Sequence, residues 1–444
     1  MEFVFYKRRW FILLLLNLFT ATNFYQHYEY TAISNVVSKF YNVSAIGINL
    51  TAVIFYLNAS IMFYPMIWCI EKYGFRTTTN LAIFANAIGP CIKCFALRNN
   101  LYWLMMFGQS FPAFATITQP SLTAIFGANW FKSEHVATVI GTNTVFLMLG
   151  SSLAFLSPTL IFRGVKSDEE TLEGLSSISI ALASITSLLF VLAVVVIREK
   201  PPTPPSLAQK ARGHHLKEQS AKVLLKNRSY MFLSIIFSFV IAGSQTMSVV
   251  LNQSIFLQFS HGNRIVTIAG ILSLIPGIIS SPLTGLICKH YKRYKRLLIM
   301  YCTLSIIFST FYIISLKLKF EPFVYLSIFM SGFFYSGMYV IAMDFIVEVT
   351  YPFPEAVTVN ITTVCACVPT IFIIPLTSML VSTFGASSGN LTLLAMAIVN
   401  FILSLFIKEE MRRHKANAET LALLNNNDRQ ANGTFASNAI ARVY

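Results

Sequence analysis

Apolar residues run along this chain in twelve long stretches, at about 9–37, 46–70, 77–96, 101–126, 135–161, 176–197, 229–257, 265–288, 297–316, 322–346, 357–383 and 388–407, with short polar segments between them. A helix needs roughly 20 mostly apolar residues to cross the hydrocarbon core of a bilayer. The stretches are continuous rather than alternating with period two, so they predict spanning helices and not a β-barrel. The longest connection, 199–228, opens on Pro201-Pro202-Thr203-Pro204-Pro205 and carries His214-His215. It divides the chain into a six-helix half at 1–198, a linker, a second six-helix half at 229–408 and a polar, Asn-rich tail from 409 that reads as disordered. Lys7-Arg8-Arg9 looks like the basic start of a signal peptide. The apolar run continues well past a signal core, however, and predicts an uncleaved first helix reaching about Val37.

Composition sharpens this picture. Of 444 residues, 55% are hydrophobic and only 11% charged, with a mean hydropathy of +0.64. Soluble domains carry about 25% charged residues. Ordinary soluble enzymes, disordered chains and nucleic-acid binders are thereby excluded, and a lipid bilayer becomes the first partner. The net charge of +15 is distributed by side: the two tails and the loops after helices two, four, six, eight and ten hold 25 of the 33 Lys and Arg. That bias predicts cytoplasmic termini, with the plasma membrane as the default location. Sequons at Asn42, Asn49 and Asn390 fall on predicted outer segments and read as glycosylation sites. Cys91 and Cys94 form a CxxC without a second ligand pair, which reads as helix packing rather than metal binding. No Walker loop, zinc-spaced cluster, nucleophile elbow or pore loop appears, so no cofactor is called for and a secondary carrier is favoured over an enzyme, pump or channel.

Six plus six helices is the layout of major facilitators, with substrate held between two halves. The loop Glu71-Lys72-Tyr73-Gly74-Phe75-Arg76 resembles the facilitator gating motif, with Glu71 and Arg76 as its acid and base. Further segments narrow the resemblance: Ile33-Ser34-Asn35-Val36 with Phe40-Tyr41, Ile92-Lys93-Cys94, Gly108-Gln109, Trp130-Phe131, Glu199-Lys200 before the proline run, Leu251-Asn252-Gln253, and Phe345 through Pro352. In the same order over residues 8–415, they resemble the feline leukaemia virus subgroup C receptor family, whose members are linked to haem export and to choline or ethanolamine transport. The resemblance implies a twelve-helix, all-α major facilitator fold and a small-molecule substrate. It also implies that a Trp on helix one and a Tyr on helix seven form an aromatic cage for a quaternary ammonium. Those positions are His27 and Gln245 here, and two cavity amides of the relatives correspond to Thr116 and Cys367.

Polar groups at membrane depth are the natural site candidates. Thr20, Asn23, His27, Thr31 and Ser34 share a stripe of helix one, with Tyr30 at its edge and Gln26 beside it, and Gln245, Ser248 and Asn252 share a face of helix seven beside Gln253. They either line the substrate path or tie helices together. His27 is also a candidate for haem iron or an anion. Glu29, on the opposite face, either sits solvated at the outer mouth, draws cations or carries a proton. Asp344 and Glu348, four apart at the inner end of helix ten, predict a gate against Lys289, Lys292, Arg293, Lys295 and Arg296, or a headgroup anchor. The competing class is a receptor or scaffold whose transport has lapsed, since all four cage and amide positions have changed.

Overall fold

A computed structural model describes residues 7–131, 135–162, 167–199, 224, 226–259, 262–291, 293–350, 355–409 and 411–412. The proline run, His214-His215 and the tail beyond 412 lie outside the described residues. Everything regular among those described is helical. Nine of their helices are long and apolar enough to cross a membrane. Large apolar side chains such as Tyr64, Phe95, Trp103 and Phe372 are 68–78% exposed on the outside. Only lipid makes such a surface tolerable.

The first half contains α1 (Arg8–Tyr28), a 3-10 turn (Thr31–Ile33) leading into α2 (Ser34–Phe40), α3 (Ala45–Phe95), α4 (Tyr102–Thr116), α5 (Gln119–Trp130), α6 (Val136–Ile161) and α7 (Asp168–Val196). The second half contains α8 (Arg228–Val249), α9 (Leu251–Phe256), α10 (Gly262–Tyr291), α11 (Tyr294–Leu318), α12 (Glu321–Thr350), α13 (Glu355–Phe384), α14 (Ala386–Gly389) and α15 (Leu391–Phe406). A straight 51-residue α3 would measure ~77 Å, far beyond a bilayer. It is two crossings, reversed at Gly74, whose φ of 77° and ψ of 179° are non-helical. With α4 and α5 forming one broken crossing, and α14 and α15 another, twelve crossings result. The first differs from expectation: the helix predicted through Val37 breaks at Glu29–Ile33.

Each half has a basal end, where α1 begins, and a distal end. Basal packing in the first half joins Ile12, Phe19, Phe75, Phe126, Trp130 and Ile197; distal packing joins Val37, Tyr41, Ile48, Tyr102 and Phe162. The guanidinium of Arg8 donates to the carbonyls of Val195 and Val196, both at 2.8 Å, tying α1 to the end of α7. The apolar core of the second half runs across into the first through Tyr28, Ala32, Val53, Tyr56 and Phe155.

Candidate functional site

The polar stripe of α1 separates into two environments. Asn23 and Gln26 turn inward to α3 and α4. Asn23 Nδ2 donates to Asn86 Oδ1 (2.9 Å) and to the Pro112 carbonyl (2.8 Å), and Thr116 donates to Asn23 Oδ1 (2.7 Å). Gln26 Nε2 donates to the backbone and side-chain oxygens of Asn86 at 3.2 and 3.1 Å. Beside them Lys93 is fully buried and ion-pairs with Glu29. Its Nζ also donates to Gln26 Oε1 (3.2 Å) and Gln109 Oε1 (3.0 Å), and lies 5.4 Å from the Tyr30 ring centre. The helices bring these groups together because α3 and α4 approach through glycines. A Cβ on Gly89 would stand 2.8 Å from the Gly108 carbonyl oxygen, and one on Gly108 would stand 2.9 Å from Lys93 Cγ.

This corrects several expectations. Asn23, Gln26 and Thr116, expected either on the substrate path or as ties between helices, hydrogen-bond within the first bundle, and the Tyr30 ring lies against Lys93. Glu29 is not at a solvated mouth but buried at 3% exposure against Lys93. Lys93 is the site residue that the sequence reading missed. Its signal was a cation within an apolar run, with an acid on the neighbouring crossing.

Tyr28 points the other way, toward the second half, with the His27 ring beside it. The His27 ring stacks on Tyr28 (4.6 Å, 8°) and Phe55 (4.4 Å, 9°), with Tyr56 edge-on at 5.3 Å. Neither His27 nitrogen has a hydrogen-bond partner, and the ring is 3% exposed. The Tyr28 hydroxyl donates to Gln245 Oε1 across the bundle interface. Phe155 closes the same cluster at 5.6 Å from Tyr28. Ser248 and Cys367 are buried and turn back on their own helices, bonding the carbonyls of Ser244 (3.3 Å) and Thr363 (3.4 Å).

Distal to this cluster the halves are clasped. Asn252 Nδ2 donates to the Ala32 carbonyl (2.8 Å) and to Asn35 Oδ1 (3.0 Å), and its Oδ1 accepts the Asn35 N–H at 3.2 Å. Asn49 Nδ2 donates to Ser378 Oγ (3.0 Å) and Gln253 Oε1 (3.4 Å). Asn252 and Gln253, expected as substrate ligands, here join bundle to bundle. The same burial corrects two sequons. Asn49 is fully buried in the clasp, and Asn390 is buried with its amide on Ser254 Oγ at 2.9 Å, so neither presents an amide to a glycan. Asn42 sits exposed in a left-handed turn, φ 54°.

At the basal end the expected motif is rearranged. Glu71 is exposed. The acid that holds the Gly74 reversal is Glu199, whose two carboxylate oxygens accept the N–H groups of Phe75 (2.8 Å) and Arg76 (2.7 Å), while Arg76 Nη2 reaches the Val194 carbonyl at 3.4 Å. A carboxylate on the first amides of a helix satisfies orphan donors and suits the dipole. Glu199→Ala is therefore expected to cost about 1 kcal/mol by thermal melting, and Gly74→Val more, since its Cβ would meet Glu199 Oε1 at 2.6 Å and φ is unfavourable. Asp344 is exposed, Glu348 is buried on the same helix, and Arg293 is exposed just before α11.

A family model described as Major Facilitator Superfamily matches residues 10–373. The chain is 29% identical over 420 residues to the Choline/ethanolamine transporter flvcr2a of Danio rerio, covering 94% of this chain and 89% of that one. It is 26% identical over 416 residues to the Choline/ethanolamine transporter FLVCR1 of Felis catus, covering 92% and 74%. Among solved structures it matches the partially occluded inward-open xylose transporter XylE of E. coli with a TM-score of 0.71 at 13% identity, covering 91% of this chain and 99% of that one. It also matches a bacterial homolog of the human lysosomal transporter Spinster, with a TM-score of 0.69 at 12% identity over 90% and 96%. At those identities the structural likeness speaks for fold alone.

Proposed function

The chain belongs to the Major Facilitator Superfamily, and from that premise we propose that it carries a small amine of the choline or ethanolamine type by alternating access between its two bundles. The observation that carries this reading is the aromatic cluster at the bundle interface, with Tyr28 bonded across to Gln245. Stacked aromatic rings with few competing donors are what a quaternary or primary ammonium selects. The resemblance placed the cage at His27; Tyr28, one residue on, is the ring that reaches the opposite half. His27 then serves as a wall of the box. Its ring is held by stacking on Phe55 and Tyr28.

On this reading the basal ends, with both termini, are cytoplasmic, as the distribution of Lys and Arg supports. The plasma membrane is the expected location, and Asn42 is the sequon placed to receive a glycan. The distal clasp closes the outer side, so this is an inward-facing arrangement. Gln245, Asn252 and Gln253 release their partners across the interface when the outer side opens. Asp344 and Glu348 with the Arg293 loop close the inner side in that alternate state, while Glu199 keeps its hold on Phe75 and Arg76 within the first half.

Uptake of radiolabelled choline and ethanolamine by cells expressing the chain tests this. Saturable uptake is expected for at least one amine, falling about tenfold or more in Tyr28→Ala, the loss of one desolvated cation–π partner and its hydrogen bond. Tyr28→Phe should retain more of it. Equal uptake in Tyr28→Ala, with the protein at the surface, overturns the assignment of the site. A receptor without transport would show binding and no flux.

A further inference from the structure

At the basal end of the second bundle, a cavity of about 820 Å³ lies between the start of α8 and the end of α15. Lys226, Arg228 and Lys408 line it, together with Arg412, which has a partner of its own. Among the described residues its lining has no carboxylate. The nearby Glu409 carboxylate instead accepts the Lys295 N–H at 3.4 Å. The frame is built, not loose: Asn227 caps α8 by accepting the Tyr230 N–H (3.2 Å) and donates to the Val349 carbonyl (3.0 Å), and Ser229 donates to the Lys408 carbonyl (3.4 Å).

The membrane side of the cavity has opposite chemistry. Met231 and Phe406 are exposed, and the Phe232 and Phe406 rings form a tilted pair 6.4 Å apart. A basic recess opening onto an apolar, lipid-facing wall matches a molecule with a phosphate at one end and acyl chains at the other. Free phosphate or a nucleotide has no use for the apolar wall. We propose that this cleft binds the phosphorylated headgroup of an anionic phospholipid in the leaflet at the basal ends, with Phe232 and Phe406 against its chains. The site lies apart from the Tyr28–Gln245 cluster. Only the naming of that leaflet as cytoplasmic rests on the orientation proposed above, so lipid binding and amine transport can fail independently.

The test is native mass spectrometry of the full chain titrated with dioleoyl phosphatidylinositol 4-phosphate, with dioleoyl phosphatidylcholine as comparator. The phosphoinositide should bind at lower concentration than phosphatidylcholine. Lys226→Ala with Lys408→Ala should raise its half-saturating concentration about tenfold. Both side chains are exposed, so the fold is not at stake. Lys7→Ala with Lys72→Ala removes the same charge from the basal end of the first bundle and should leave binding unchanged. Equal weakening in both double variants would mean diffuse attraction, and no preference over phosphatidylcholine would mean no site. Displacement by millimolar inorganic phosphate would mean a site for the free anion; each of these outcomes overturns the proposal.

Discussion

Lys93→Met is expected to destabilise the chain by about 3–5 kcal/mol, because it leaves the Glu29 carboxylate buried without its counter-charge. The site offers no relief. The groups facing Lys93 Nζ, besides Glu29, are the amide oxygens of Gln26 and Gln109, and the residues around it are 0–6% exposed. Glu29→Gln should be costly for the mirror reason, since an ammonium is then buried against neutral oxygens. The double variant Glu29→Gln with Lys93→Met removes both charges and should recover much of the loss, because two buried charges that vanish together leave no uncompensated ion. Melting of the detergent-solubilised protein, followed by size-exclusion chromatography, measures all three. Single variants that melt with the wild type would show that the pair does not hold α1 to α3 and α4.

Fixing the distal clasp should abolish transport outright. Asn35 and Asn252 meet through two hydrogen bonds at 3.0 and 3.2 Å across the interface, close enough for cysteines there to be joined through disulfides by a short bis-methanethiosulfonate. If the distal ends must part for the outer side to open, Asn35→Cys with Asn252→Cys should lose amine flux on cross-linking and regain it when the link is reduced. The wild type, with the same reagent, controls for the seven native cysteines. Flux that survives a complete cross-link would exclude alternating access by separation of these ends. Breaking the clasp instead, with Asn252→Ala, should shift the population toward the outward state.

The fold was legible because its main determinant is one-dimensional. Run length sets crossings. The site was legible only in part. Helical periodicity put Asn23 and His27 on one stripe of α1, yet Asn23 bonds α3 and α4 while His27 packs among Tyr28, Phe55 and Tyr56, because periodicity does not say what stands opposite. Asn23 faces Asn86 and Pro112, 63 and 89 residues away, whereas Tyr28, outside the stripe, faces Gln245. The pairing of Glu29 with Lys93 spans 64 residues and depends on the close approach at Gly89 and Gly108, which no local pattern encodes. The sequence placed Asn49 and Asn390 on exposed outer segments, yet both are buried where the distal ends pack together. Glu71 fits the spacing of the gating motif, but Glu199 reaches the amides of Phe75 and Arg76 because the end of α7 lies beside the Gly74 reversal.

Counterflow tests the central claim most directly. Proteoliposomes holding the full chain and loaded with unlabelled choline or ethanolamine would be diluted into a trace of the labelled amine. A carrier alternating around the Tyr28–Gln245 cluster predicts transient accumulation of label above its outside concentration, lost in Tyr28→Ala and in the cross-linked clasp variant. No accumulation of either amine by folded, correctly reconstituted protein would contradict the account.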